Sequence, residues 1–173
     1  MHCPAVSQKN VHDERCQISR FFIKKQTEGK HMHITIATQK HTQLVDITPK
    51  IQRAVTDAAM DSGLVHVFSM HTTAGITINE NADPDVKTDI INSLDGLFPW
   101  TGNYRHMEGN SAAHLKTSFM GPFQLIPIEK GSLVLGTWQS VFLCEFDGPR
   151  TRRVHLTFIH EHRFPSLLKP TSK

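Results

Sequence analysis

The sequence has few cysteines and no arrangement of them that staples a chain. Cys3, Cys16 and Cys144 are an odd number among 173 residues, without a CxxC pair. Neither a disulfide framework nor a zinc knuckle is suggested, and a reducing, cytoplasmic setting is expected. No apolar run reaches the roughly eighteen residues that cross a bilayer, and the N-terminus lacks the charged, apolar and small-residue order of a signal peptide. The chain is thus read as soluble, with no membrane partner. A net charge of +3 is too small a basic excess to recruit nucleic acid without sequence preference, whereas a small anion fits it well. GxxxxGK[ST], strand-borne GxGxxG and GxSxG motifs are all missing, which removes the main support for nucleotide-binding and serine-hydrolase classes. No internal repeat is found.

Histidine is what the chain has in excess, at twelve copies. A side chain that titrates near neutrality and ligates metals when neutral raises the prospect of acid/base or metal chemistry. With 38% hydrophobic residues, a chain of this length buries one core. Residues 1–30 are read as an N-terminal extension with little to bury, residues 31–162 as the folded domain and residues 163–173 as a frayed tail.

Along the domain, Met32, Ile34 and Ile36 alternate with His33, Thr35 and Ala37, the period-two mark of a half-buried strand. Gln43 to Ile47 is expected as its hairpin partner. Thr48 and Pro49 read as N-cap and first residue of a helix carrying Ile51, Ala54, Val55, Ala58 and Ala59, ended by Gly63. Leu64 to Met70 and Ile76 to Ile78 are strands, with His71 where the first opens into a loop. Asp83 and Pro84 start a second helix with an apolar stripe of Val86, Ile90, Ile91, Leu94 and Leu97. Trp100 to Asn110 is loop. Strands follow at Phe123 to Ile128, Ser132 to Leu135, Trp138 to Phe146 and Arg153 to His160. The expected class is α+β: one domain of antiparallel, sandwich-like sheets with two main helices.

Three constellations carry chemistry. In the first, His71-Thr72-Thr73-Ala74-Gly75 is followed by Asn79-Glu80-Asn81 and by Asp83 and Asp85. His71 and Glu80 share a metal or a proton if the intervening chain folds back; the plainer reading makes Asn81 and Asp83 helix caps and sets Glu80 at the helix's positive end. In the second, His106 and His114 lie either side of a glycine-bearing loop, with Asn110 between them and Lys116 beyond. They converge on one ion or are simply solvated; with His71 they make the three-ligand set of a catalytic zinc. The third runs from Gly136-Thr137-Trp138-Gln139 to Glu145-Phe146-Asp147-Gly148-Pro149-Arg150, then Arg152 and Arg153. Its plain reading is a hairpin tip of solvated charges; its functional one has Arg150 gripping phosphate or carboxylate and Trp138 stacking on an aromatic ring.

Taken in order, His71-Thr72-Thr73-Ala74 with Asn79-Glu80, His106-x-x-x-Asn110-x-x-x-His114 with Gly121, and Gly136-Thr137-Trp138-Gln139 with Glu145 and Gly148-Pro149-Arg150-x-Arg152 closely resemble the YjbQ family, a group also described as secondary thiamine-phosphate synthase. The resemblance spans roughly His31 to Ile159. It implies a compact α+β domain, a homotrimer, and a polar pocket that holds a metal or an anion. It also implies a weak thiamine-phosphate synthase activity, in which a thiazole phosphate displaces the pyrophosphate of a hydroxymethylpyrimidine. On that reading His71, Glu80, His106 and His114 are catalytic, and His71, His106 and His114 ligate a divalent metal. Zinc is the first expectation; imidazole equally suits nickel, copper and iron, and magnesium accompanies a pyrophosphate substrate. Thr72, Asn79, Asn110, Lys116, Trp138, Gln139 and Arg150 would bind the small phosphorylated substrate. Two rivals stand beside this enzyme: a non-catalytic metal- or anion-binding module, and a trimeric scaffold whose histidines bridge subunits.

Overall fold

The computed structural model describes residues 30–160. The C-terminal tail and all but the last residue of the N-terminal extension expected from the sequence lie outside the described residues. The elements, in order, are β1 (Lys30–Ala37), β2 (Gln43–Asp46), α1 (Thr48–Asp57), β3 (Gly63–Ser69), β4 (Ala74–Glu80), α2 (Pro84–Leu97), α3 (Ser111–Met120), β5 (Phe123–Glu129), β6 (Ser132–Leu133), β7 (Gln139–Glu145) and β8 (Thr151–His160). Two antiparallel sheets result, one of five strands in the order β1-β8-β3-β5-β6 and one of three in the order β2-β7-β4.

The sheets pack face to face. Val65, Val67, Ile126, Val154, Leu156 and Phe158 of the large sheet meet Ile76, Val141 and Leu143 of the small one, with Ile51 and Val55 of α1 joining the same core. A second core lies on the opposite face of the small sheet, where Phe142, Cys144 and Phe146 meet Leu94 of α2 and Ala113 of α3. Strand β7 is therefore apolar on both faces, which is why Val141 to Cys144 form a continuous rather than an alternating run.

The expected α+β class holds, and several local expectations need correction. Strand β1 does not pair with β2: it pairs with β8, Ala37 standing opposite Thr151, while β2 pairs with β7. Likewise β7 and β8 are not a hairpin but belong to different sheets. Of the chain's changes of sheet, three matter for the site, those at 38–42, at 70–73 and at 146–150. All three crossovers lie at one corner of the sandwich, because Gln43 and Ala74 both stand opposite Glu145. Period-two patterning tells which face of a strand is buried and is silent about its partner.

The first helix begins at Thr48, after Ile47, and Thr48 does not cap it; its hydroxyl instead accepts from the Val141 amide at 2.8 Å. That helix ends at Asp57, well before the Gly63 expected to end it, and Ala59 takes a left-handed turn (φ 54). Asp83 does cap α2, accepting from the Asp85 amide at 2.9 Å. Only Leu94 of the expected stripe is buried, and Leu97 is 63% exposed. A third helix, α3, was not expected. Its buried face is Ala112, Ala113, Lys116 and Thr117, small and polar residues that leave no apolar stripe to detect. It lies close on β4 because Gly75 has no side chain: a Cβ there would stand 2.8 Å from the Gly121 carbonyl oxygen, which accepts from the Ile76 amide at 3.0 Å.

Candidate functional site

The sandwich corner is tied by a buried ion pair. Arg152, at the start of β8, donates from Nε to Glu145 Oε2 at 2.7 Å and from Nη2 to Glu145 Oε1 at 2.5 Å, and reaches Thr73 Oγ1 at 2.9 Å. Thr38 Oγ1 and the Asp147 amide, both at 2.9 Å, donate the remaining hydrogen bonds to Glu145. Each crossover therefore contributes one group to this carboxylate or its arginine. Burial alone would raise the Glu145 pKa, but the bonds from Arg152 and from the Asp147 amide outweigh it and hold the carboxyl below its ordinary range. The crossovers also touch through backbone: a Cβ on Gly148 would stand 2.4 Å from the Lys40 carbonyl oxygen.

His71 is fixed at this corner. Its Nε2 accepts from the Arg153 amide at 2.8 Å, so the proton of the neutral ring sits on Nδ1. Burial, and then the Arg152 charge, lower its pKa from 6.5 and favour that neutral ring. Asp147 forms a second knot. Its Oδ2 accepts from Arg150 Nη2 at 2.8 Å and from Asn110 Nδ2 at 3.1 Å, and its carbonyl takes Arg150 Nε at 2.6 Å. Burial pushes the Asp147 pKa up, yet the Asn110 and Arg150 hydrogen bonds win and leave it lowered. Arg150, expected to grip a phosphate, thus spends Nε and Nη2 within the chain, while Asn110 docks the start of α3 on the corner.

Beyond Asn110, His106 and His114 stand edge to face with ring centroids 5.3 Å apart. They line a cleft of about 410 Å³ with Tyr104, Arg105, Ser111 and Leu115. His106 Nε2 lies 3.6 Å from Glu108 Oε2. His71 does not line this cleft, and among the described residues no group of three or more His, Cys, Asp or Glu is arranged to hold an ion. Among the described residues, His71, His106 and His114 are therefore not gathered into one three-ligand set.

The other expected residues lie elsewhere. Strand β4 does not fold back but runs extended from Ala74 to Glu80, which at about 3.3 Å per residue separates the His71 end from Glu80 by roughly 20 Å. Glu80 stands opposite Gln139 at that far end. Nearby, Trp138 is 64% exposed, and Gln139 Oε1 accepts from the Gly136 amide at 2.8 Å. Asn79 caps the Glu80 amide at 2.8 Å and lines a separate apolar cleft with Val86, Leu97 and Phe119. Lys116 is fully buried, ion-paired to Asp95 of α2 with its Nζ 4.7 Å from the Trp100 ring centroid. It is a strut between helices rather than a free anion ligand. Thr72 falls in the 70–73 crossover, beside His71.

Comparison with known proteins decides the family. The model of the UPF0047 protein YjbQ-like family matches residues 32–161. The chain belongs to the YjbQ family. It is 48% identical over 124 residues to the UPF0047 protein YugU of Bacillus subtilis, covering 71% of this chain and 94% of that one. Against a UPF0047 protein of Methanocaldococcus jannaschii it is 52% identical over 124 residues, covering 72% and 90%. A crystal structure of a yjbq/upf0047 family protein from Clostridium acetobutylicum aligns with a TM-score of 0.73 at 51% identity, over 74% of this chain and 99% of that one. A YbjQ-like protein of unknown function from Sulfolobus solfataricus aligns with a TM-score of 0.74 at 31% identity, over 78% and 99%.

In this YjbQ chain, sequence reasoning missed the Glu145–Arg152 pair as a unit, along with Thr38 and Asp147 as its supports. One signal was present: Glu145 closes a four-residue apolar run, and a carboxylate so placed needs a cation. Tyr104 and Arg105 were missed as cleft residues because the loop that bears them has no periodicity, and Ser111 because it opens the unexpected helix α3. Among the described residues, no helix is long and apolar enough to cross a membrane.

Proposed function

We propose that this chain binds a small phosphorylated molecule in the His106–His114 cleft and catalyses a substitution there of the thiamine-phosphate synthase type. The observation that supports this is the set of residues lining the cleft: His106, His114, Arg105 and Ser111, with Tyr104 and Leu115, enclose about 410 Å³, a volume suited to a small ligand. In the reaction, the thiazole nitrogen lone pair forms a bond to the pyrimidine methylene carbon. The carbon–oxygen bond to pyrophosphate breaks, and pyrophosphate leaves with that electron pair. Arg105 offsets the charge developing on the departing oxygens, and His106 or His114 donates a proton to them. A magnesium ion carried by pyrophosphate belongs to the substrate, and no step is routed through a protein-bound metal. Asn110 and Asp147 position the start of α3, and with it His114. Glu80, Trp138 and Gln139 have no part in this reading. Assembly as a homotrimer belongs to the same proposal and is checked by sedimentation velocity.

The test is chromatographic detection of thiamine phosphate from the two phosphorylated precursors. His106→Ala and His114→Ala are expected to lower its formation by about 10²-fold or more, with thermal stability unchanged. A wild-type chain that binds pyrophosphate in a calorimeter but forms no product would leave only the binding-module reading. Full activity in both variants would remove the cleft from the reaction.

A further inference from the structure

The outward face of the five-stranded sheet carries a cluster of metal-ligating side chains that the proposed chemistry does not use. Alternation along the strands puts His31 and His33 of β1, His66 of β3 and His155 of β8 on this face, each exposed or half-buried. His33 stands opposite His155, and His31 opposite Thr157. Thr157 in turn stands opposite His66. The His31 and His155 rings stack with centroids 5.3 Å apart, and the His33 and His155 centroids are 4.7 Å apart.

One distance within the cluster points to a ligand. His31 Nδ1 and His155 Nε2 face each other at 3.3 Å, a long hydrogen bond, and His31 Nδ1 is equally 3.3 Å from Thr157 Oγ1. Two imidazole nitrogens bound at about 2.0–2.1 Å to one tetrahedral ion stand about 3.3 Å apart. The backbone ladder holds both strands in register, so little ordering is required to bring these nitrogens together.

We propose that His31 and His155 form a two-imidazole surface site for a divalent transition-metal ion of the zinc, nickel or copper class. Water completes the coordination, since no third protein ligand is arranged around the ion among the described residues. His33 is the adjoining ring, and the Arg153 charge further along the same face of β8 keeps the site weaker than one with carboxylates. The bound ion links β1, the outermost strand of the sheet, to β8 across the ladder. Its effect is to fasten an edge strand that backbone hydrogen bonds hold on one side only. The site is independent of the His106–His114 cleft.

The experiment is thermal unfolding of the full chain, first stripped with chelator and then titrated with nickel. At about a hundredfold excess over Kd, nickel is expected to raise Tm by roughly 5–10 °C. The same rise is expected in the His106→Ala/His114→Ala background, where the cleft imidazoles cannot contribute. It is expected to vanish in His155→Gln and, separately, in His31→Gln, each keeping the wild-type Tm in chelator. A rise that survives both substitutions, or its absence in wild type at millimolar nickel, overturns the proposal.

Discussion

Removing the Arg152 side chain is the sharpest test of how the sandwich corner is held. Arg152→Ala leaves Glu145, whose side chain has no exposed surface, charged and facing only Thr38 Oγ1 and the Asp147 amide. Breaking a buried pair from one side costs about 3–5 kcal/mol, because the surviving charge has lost both water and partner. For a domain of this size that is a fall in Tm of roughly 10–20 °C. The loss also has a pH signature. In the wild type the Glu145 pKa is lowered, so its contribution is full above the ordinary carboxyl value of 4.5 and is lost as pH falls through the depressed value. In the variant, burial acts without the arginine to oppose it, the pKa rises, and acid neutralises the stranded charge. The gap between wild type and variant therefore narrows from about pH 7 to about pH 5. Urea unfolding at both pH values measures it. A deficit below about 1 kcal/mol, or one that is the same at both pH values, would mean that the pair does not hold the corner.

Two further outcomes follow from the same corner. Gly148→Ala drives a Cβ to 2.4 Å from the Lys40 carbonyl oxygen, a backbone atom that cannot swing away, and is expected to cost about 1–3 kcal/mol; an unchanged urea midpoint would show that the crossovers separate freely. The His71 pKa is lowered from 6.5, so the stability it contributes is complete above 6.5 and is lost as pH falls through the depressed value. His71→Gln, which keeps an acceptor for the Arg153 amide, is expected to flatten the decline of stability over that acid range, and identical slopes would refute this.

Elements whose ends carry their own chemistry were legible in the sequence. Asp83 and Pro84 announce α2 because a capping carboxylate and a pre-set φ act locally. The apolar stretch within Trp138 to Phe146 announces a strand, though not that both of its faces are buried. What stayed hidden depends on distant chain or on residues without pattern. That β1 pairs with β8 rather than β2 is decided by packing more than a hundred residues away. Helix α3 hides because alanines, a lysine and a threonine form its inner face. Of the site residues, His106 and His114 do meet, Asn110 joins their loop to Asp147, and Glu80 lies a strand's length from His71. A nine-residue spacing cannot distinguish a chain that folds back from one that runs straight.

The double burial of β7 has a consequence for Cys144. Its thiol lies under the α2 and α3 layer, and burial pushes its pKa up to about 12. At neutral pH it is both shielded and protonated, so an alkylating reagent reaches a reactive sulfur only after the helices lift from the sheet. The rate at which Cys144 is labelled thus clocks the breathing of the layer that carries His114, with no foreign probe introduced.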